Sequence, residues 1–196
     1  SFSPDGQYAF ISSYGDSQIS IFRRNPINGK LTFLGYDKTP FTGEHQALNV
    51  LVSPDNKFVY IKYADGLYTY SLDRNDGELN LLAFNPGQTI PRYSNNSQAI
   101  ISKDGNYLYD LNTEDQNFII YQRNPISGIL NPTRVFQNGG LFDEIETIRN
   151  ISYDQEMEEM YLHTSSGKNS YIQTFKRDLA TGLLTKKPSI KNPQDF

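Results

Sequence analysis

The sequence predicts an all-β protein of the propeller type: four tandem copies of one unit of roughly 50 residues, each a four-stranded sheet. Two landmarks predict it. Four turn tetrapeptides, Ser3-Pro4-Asp5-Gly6, Ser53-Pro54-Asp55-Asn56, Ser102-Lys103-Asp104-Gly105 and Ser152-Tyr153-Asp154-Gln155, place their aspartates 50, 49 and 50 residues apart. A second landmark follows each in phase: Arg24-Asn25-Pro26 to Gly29, Arg74-Asn75 to Gly77, Arg123-Asn124-Pro125 to Gly128, and Arg177-Asp178 to Gly182. An aromatic (Phe22, Tyr70, Tyr121, Phe175) stands seven residues before that glycine, and a leucine (Leu31, Leu79, Leu130, Leu184) two residues after it.

Each unit reads as strands A to D. Strand A is the short apolar run before the aspartate, as in Val50-Leu51-Val52 and Ala99-Ile100-Ile101. Asp-Gly or Asp-Asn then turns the chain, because these residues tolerate the positive φ of a tight hairpin. Strand B is Tyr8–Ile11, Phe58–Ile61, Tyr107–Tyr109 or Met160–Leu162, and strand C is Ile19–Phe22, Leu67–Tyr70, Phe118–Tyr121 or Tyr171–Phe175. A turn rich in Pro, Asn and Gly leads to strand D, as in Lys30–Leu34. The apolar positions alternate by two and never settle into a helical period. A lone sheet of this size leaves a face unburied; stacking copies about an axis covers both and leaves only short edges.

The expected blades run over residues 1–40, 41–90, 91–140 and 141–196, within one propeller domain. The fourth A–B turn, Asp154 to Met160, reads as a longer loop whose Glu156, Glu158 and Glu159 are a solvated tip. The first copy keeps only Ser1-Phe2 of strand A. Either the tail from Pro188 supplies the missing strand and four blades close a small ring, or these are four blades of a larger, seven-bladed ring. The second is preferred; two chains completing an eight-blade ring is a third reading.

Composition narrows the partners. The net charge is −4, with no basic stripe to displace counterions from a nucleic acid. With no cysteine, disulfides, thiolate metal sites and cysteine nucleophiles are excluded. No apolar run is long enough to span a bilayer as a helix, and no signal peptide is visible. With two histidines and no cysteine, no zinc spacing is seen. No calcium-loop, Gly-x-Ser-x-Gly, P-loop or dinucleotide pattern occurs either, so no metal or cofactor is expected. The repeated turn aspartates read as structural, their carboxylates bonding nearby N–H groups. His163 reads as a polar strand-end residue. The recurring Tyr and Phe read as packing between blades, although Tyr-rich surfaces also bind sugars. Asn95-Asn96-Ser97 and Asn150-Ile151-Ser152 match the glycosylation sequon.

The pattern Ser-Pro-Asp-Gly-x-Tyr, an aromatic strand, then Arg-(Asn/Asp)-Pro-x-x-Gly-x-Leu resembles the repeats of the lactonase-type (6-phosphogluconolactonase-like) seven-bladed propellers, over essentially the whole chain. Asn138-Gly139-Gly140 running to Ser152-Tyr153-Asp154 is similar to blade junctions of secreted or cell-surface members. The resemblance implies a mouth of the central channel lined by His, Glu and Arg, set in a His-x-His-Gln stretch and a Ser-Glu-Ile-His stretch followed by Asn-Arg-Gly. Here Gly43-Glu44-His45-Gln46 carries one histidine of the first, and Glu146-Thr147-Ile148-Arg149 echoes the second.

The D–A connections, which gather at one mouth of a propeller, contain Glu44 and His45, then Arg92, then Glu146 and Arg149. These five are the ligand-binding candidates; no catalytic residue is assigned. Such a cluster can bind an acidic sugar or open a lactone by general-base chemistry. With the enzyme patterns incomplete beside intact structural repeats, the leading expectation is a non-catalytic module that binds a protein or glycan. A secreted, periplasmic or cell-surface setting is preferred for it, with remaining blades or a second chain as partners. The alternative is a hydrolase acting on a sugar lactone such as 6-phosphogluconolactone, and a third class is a purely architectural repeat.

Overall fold

A computed structural model describes residues 1–13, 18–37, 47–63, 65–86, 98–112, 117–137, 147–154, 156–166, 169–188 and 190–191. They contain strands and turns and no helix. The strands group by repeat: β1 (Tyr8–Ser12), β2 (Ile19–Arg24) and β3 (Leu31–Tyr36); β4 (Ala47–Val52), β5 (Phe58–Tyr63), β6 (Gly66–Leu72) and β7 (Leu79–Pro86); β8 (Gln98–Ile101), β9 (Tyr107–Asn112), β10 (Asn117–Arg123) and β11 (Leu130–Gln137); then β12 (Thr147–Tyr153), β13 (Glu159–Ser166), β14 (Asn169–Arg177), β15 (Leu184–Lys186) and β16 (Ile190–Lys191). Each group is one sheet with strands in sequence order, as the repeat pattern predicts. In the first repeat the bridge Phe2↔Ala9 stands where strand A would pair. In the fourth, β16 pairs with Tyr171 and Ile172 of β14, so the tail segment Ile190–Lys191 prolongs strand D of its own sheet after a break.

The chain divides into two compact units, residues 1–95 with 123–130, and residues 96–122 with 131–196. In the first unit, Tyr8, Phe10, Ile19 and Ile21 of one sheet share a core with Val59, Ile61, Tyr63, Tyr68 and Tyr70 of the next. Alternation along β5 then turns Phe58 and Tyr60 to the opposite face, where they meet the turn formed by residues 123–130. In the second unit, Tyr107, Tyr109 and Phe118 pack with Ile151, Met160, Leu162 and Phe175.

The A–B turns bear out the structural reading of Asp5, Asp55 and Asp104. Their carboxylates accept the N–H groups of Gln7 (3.1 Å), Lys57 (3.2 Å) and Asn106 (2.9 Å). Each also receives the hydroxyl of the serine two residues earlier.

The fourth turn differs from its expected alignment. The N–H of Asp154 donates to the carbonyl of Glu159 as that of Ser53 does to Phe58, and Met157 adopts φ 55° where Asn56 has 58°. Asp154 therefore holds the serine's place, its carboxylate accepting the N–H of Glu159 at 2.9 Å as the Ser53 hydroxyl accepts that of Phe58. Glu156 falls on the aspartate's place, Glu159 on that of Phe58 and Tyr161 on that of Tyr60. The turn is no longer than the others, and its glutamates are not simply solvated: Glu156 pairs with Lys103 and Glu159 with Lys187.

The second landmark also shifts once. The turn glycine donates to the carbonyl four residues back in every repeat, at Asn25, Asp73, Asn124 and Asp178. Arg24, Arg123 and Arg177 precede that residue, but in the second repeat Leu72 holds their place and Arg74 sits inside the turn.

Candidate functional site

Strands β4, β8 and β12 are the strands A that follow the D–A connections on which the sequence places the candidate residues. Glu44, His45, Arg92 and Glu146 lie outside the described residues, as does the side chain of Arg149. The backbone of Arg149 belongs to β12. There the register with β13 shifts between Ile148 and Asn150, making Arg149 the extra residue of a bulge. The same shift occurs between Ala47 and Asn49 of β4, around Leu48, at the equivalent start of strand A. Bulges bend a strand and re-aim one side chain, and they concentrate beside functional sites.

Two buried polar constellations among the described residues lie where one repeat meets the next. Arg123 donates through Nε to the Tyr60 hydroxyl at 2.8 Å and pairs with Asp55, while Tyr60 donates to the Gly128 carbonyl at 2.8 Å. In the second unit Arg177 donates through Nε to Tyr109 at 2.9 Å and pairs with Asp104 at 2.7 Å, while Tyr109 donates to the Gly182 carbonyl at 2.9 Å. The guanidiniums also lie over rings, Arg123 5.2 Å from the Phe58 centroid and Arg177 5.6 Å from that of Tyr107.

Burial pushes the Asp55 and Asp104 carboxyls up. The serine hydroxyl, the turn N–H and the arginine outweigh it and hold both below the usual carboxylate range. Burial pushes the phenols of Tyr60 and Tyr109 up to about 12 against the opposing pull of the arginines.

The junction between the first two repeats is built otherwise. Phe10 stands in place of the tyrosine and Leu72 in place of the arginine, so both halves of the buried polar pair are absent together. Asp5 takes its cation from Arg74 in the turn, at 2.9 Å. That side chain is 53% exposed, against 2% for Arg123. These junctions join structure to structure and offer no open reacting position. Sequence reading assigned the tyrosines to packing between blades but missed the arginines and aspartates that complete these junctions, although the joint change of Tyr to Phe and Arg to Leu was a signal for them.

Open concavities among the described residues include the following two. One of about 210 Å³ in the first unit is bordered by Asp37, Asp76 and Glu78, and one of about 390 Å³ on the fourth sheet by Ser152, Tyr161, His163, Ser170, Tyr171 and Ile172. His163 thus lies within strand B on an open sheet face, paired in register with Asn150 and Ile172. No group of three or more His, Asp or Glu among the described residues is arranged to hold a metal ion.

Comparison with known proteins places these sheets. A family model described as "Lactonase, 7-bladed beta-propeller" matches residues 1–140. A candidate 6-phosphogluconolactonase of Bacteroides uniformis superposes with a TM-score of 0.76 at 25% identity, over 97% of this chain and 53% of its own. One from Bacteroides fragilis gives 0.73 at 26% identity, over 97% and 53%. The periplasmic gluconolactonase of Pseudomonas aeruginosa gives 0.73 at 18%, again over 97% and 53%, a likeness of fold. The chain thus spans about half the length of these structures. No curated protein matches it in sequence.

Proposed function

This chain belongs to the lactonase family of seven-bladed β-propellers, and on that premise we propose that it forms part of a hydrolase that opens a sugar lactone such as 6-phosphogluconolactone. Family membership carries the reading. The two Bacteroides structures, candidate 6-phosphogluconolactonases at 25% and 26% identity, support it. The comparisons favour it over the binding module that the incomplete enzyme patterns suggest.

The chemistry asks for few groups. A water oxygen attacks the lactone carbonyl carbon while a base takes its proton; Glu44, His45 and Glu146 are of the right type. The resulting oxyanion needs a fixed positive group beside it, and a substrate phosphate needs another; Arg92 and Arg149 are of that type. Collapse of the tetrahedral intermediate breaks the ring C–O bond, and the departing alkoxide takes a proton to leave the open hydroxy acid.

All five residues fall on or just after D–A connections, which a propeller gathers at one mouth of its channel. The test is a lactone panel presented to the complete protein containing this chain, with 6-phosphogluconolactone and its unphosphorylated analogue. Hydrolysis above the spontaneous rate supports the proposal. No turnover of any lactone by the folded, complete ring ends it.

A further inference from the structure

The fourth sheet carries the parts of a junction that the second and third sheets use up. On β13, Tyr161 occupies the place of Tyr60 and Tyr109: it is opposite Thr174 as Tyr60 is opposite Thr69. Glu156 occupies the place of Asp55 and Asp104, one methylene longer. Around Tyr161 lies the concavity of about 390 Å³, with Ile172 48% exposed on its border. Where Tyr60 and Tyr109 donate to a turn carbonyl of the following repeat, Tyr161 donates to Glu159 of its own strand at 2.9 Å. Glu156 meets Lys103 at 2.6 Å in an ion pair whose side chains are 61% and 55% exposed. Such a pair is worth little and exchanges readily for a buried partner.

We infer that Tyr161 and Glu156 form a socket for the guanidinium of a further repeat of this propeller, one with arginine five residues before its turn glycine. Three observations select that occupant. The two junctions that use a strand-B tyrosine, Tyr60 with Arg123 and Tyr109 with Arg177, both fill it with such an arginine. The junction that lacks the tyrosine also lacks the arginine, with Phe10 facing a repeat that carries Leu72. The family is seven-bladed, and this chain of four repeats spans 53% of its structural relatives.

The first repeat presents the reciprocal half. Arg24 holds the arginine place, its contact among the described residues being the Gly6 carbonyl of its own turn at 3.4 Å. A Cβ added to Gly29 would meet nothing within 4 Å. A second copy of the chain would fill the socket with Arg24 only by making eight repeats rather than seven.

The test extends the full chain at its C-terminus with a second copy of its own third repeat, carrying Arg123. A sibling extension carries Arg123→Leu in the added copy, the residue the second repeat uses at that place. Hydrogen exchange across β13 is compared with the unextended chain. The arginine extension slows exchange about tenfold or more, as expected of a hydrogen bond to a charged group. The leucine sibling and Tyr161→Phe in the extended chain both lose that protection. Equal protection by the two extensions, or none by either, overturns the inference. So does concentration-dependent dimerisation of the unextended chain that protects β13 and is abolished by Arg24→Leu, since the occupant is then a second copy.

Discussion

Arg123 and Tyr60 are 63 residues apart and joined by a buried hydrogen bond of 2.8 Å, with the arginine side chain only 2% exposed. The guanidinium is tolerated there because Asp55 supplies the countercharge and the Tyr60 oxygen takes a donor. Removing one partner strands the other. Arg123→Leu is expected to cost about 3 kcal/mol, and Tyr60→Phe about 1–2 kcal/mol. The double variant reproduces the Phe10–Leu72 pair already present in this protein, without the Arg74 that serves Asp5 there. It is therefore expected to lose at least about 1 kcal/mol less than the two singles together. Urea denaturation of the four proteins closes the cycle; strict additivity would show that the pair is not a unit.

The turn glycines separate two effects that usually travel together. Gly29 and Gly128 both hold a left-handed backbone, φ 72° and 76°. A Cβ on Gly29 meets open space, whereas one on Gly128 lies 2.3 Å from the Phe58 ring. Gly29→Ala is expected to cost about 1 kcal/mol, the conformational term alone. Gly128→Ala adds displacement of a buried aromatic and is expected to reach about 3 kcal/mol or more. Thermal unfolding of both variants measures the difference, and equal losses would mean the ring moves aside freely.

Much of this fold was legible because a propeller repeats its local chemistry. The Ser-x-Asp turns and strands B and C recur with fixed spacing, and hairpin turns and alternation act over a few residues. The misalignments arose where two residue types do one job. Asp154 accepts the same N–H bond as Ser53, so matching aspartate to aspartate slid the fourth turn by two positions. Arg74 reaches Asp5 from inside a turn, so matching arginine to arginine concealed Leu72. Of the candidate site, sequence placed all five residues on or beside D–A connections. The structure adds only the bulge that singles out Arg149, because a bulge is a pairing between strands and leaves no mark in one strand's pattern.

The repeat junctions also contribute to the pH limits of the fold. Asp55 and Asp104 have folded pKa values below their ordinary value, so each contributes stability above about pH 4. That contribution is lost as pH falls through the lower folded values. Tyr60 and Tyr109 are raised to about 12 from an ordinary value near 10. Their contribution is complete below about pH 10 and is lost as pH rises toward 12. Denaturation midpoints measured across pH should fall at both ends. The Tyr60→Phe/Tyr109→Phe variant should make the alkaline limb shallower and leave the acid limb in place, the remainder of the alkaline limb coming from Tyr63, Tyr68 and Tyr121, whose phenols burial also raises. An unchanged alkaline limb would place that titration elsewhere.

Arg149 is the candidate whose backbone setting makes the sharpest functional prediction. As the extra residue of a bulge at the start of strand A, it is spared a place in the regular ladder with β13. Its replacement should therefore disturb activity more than stability. In the complete protein, Arg149→Ala is expected to lower kcat/KM for 6-phosphogluconolactone by about 100-fold or more, the scale on which a lost oxyanion donor acts. The denaturation midpoint should scarcely move. Arg149→Lys separates the two roles open to the side chain. A lysine still attracts a phosphate as a point charge but cannot reproduce a bidentate fork. Recovery by lysine for the phosphorylated lactone alone assigns Arg149 to the phosphate, and failure to recover with either lactone assigns it to the reacting carbonyl. Full activity of Arg149→Ala on both lactones would remove the residue from the site.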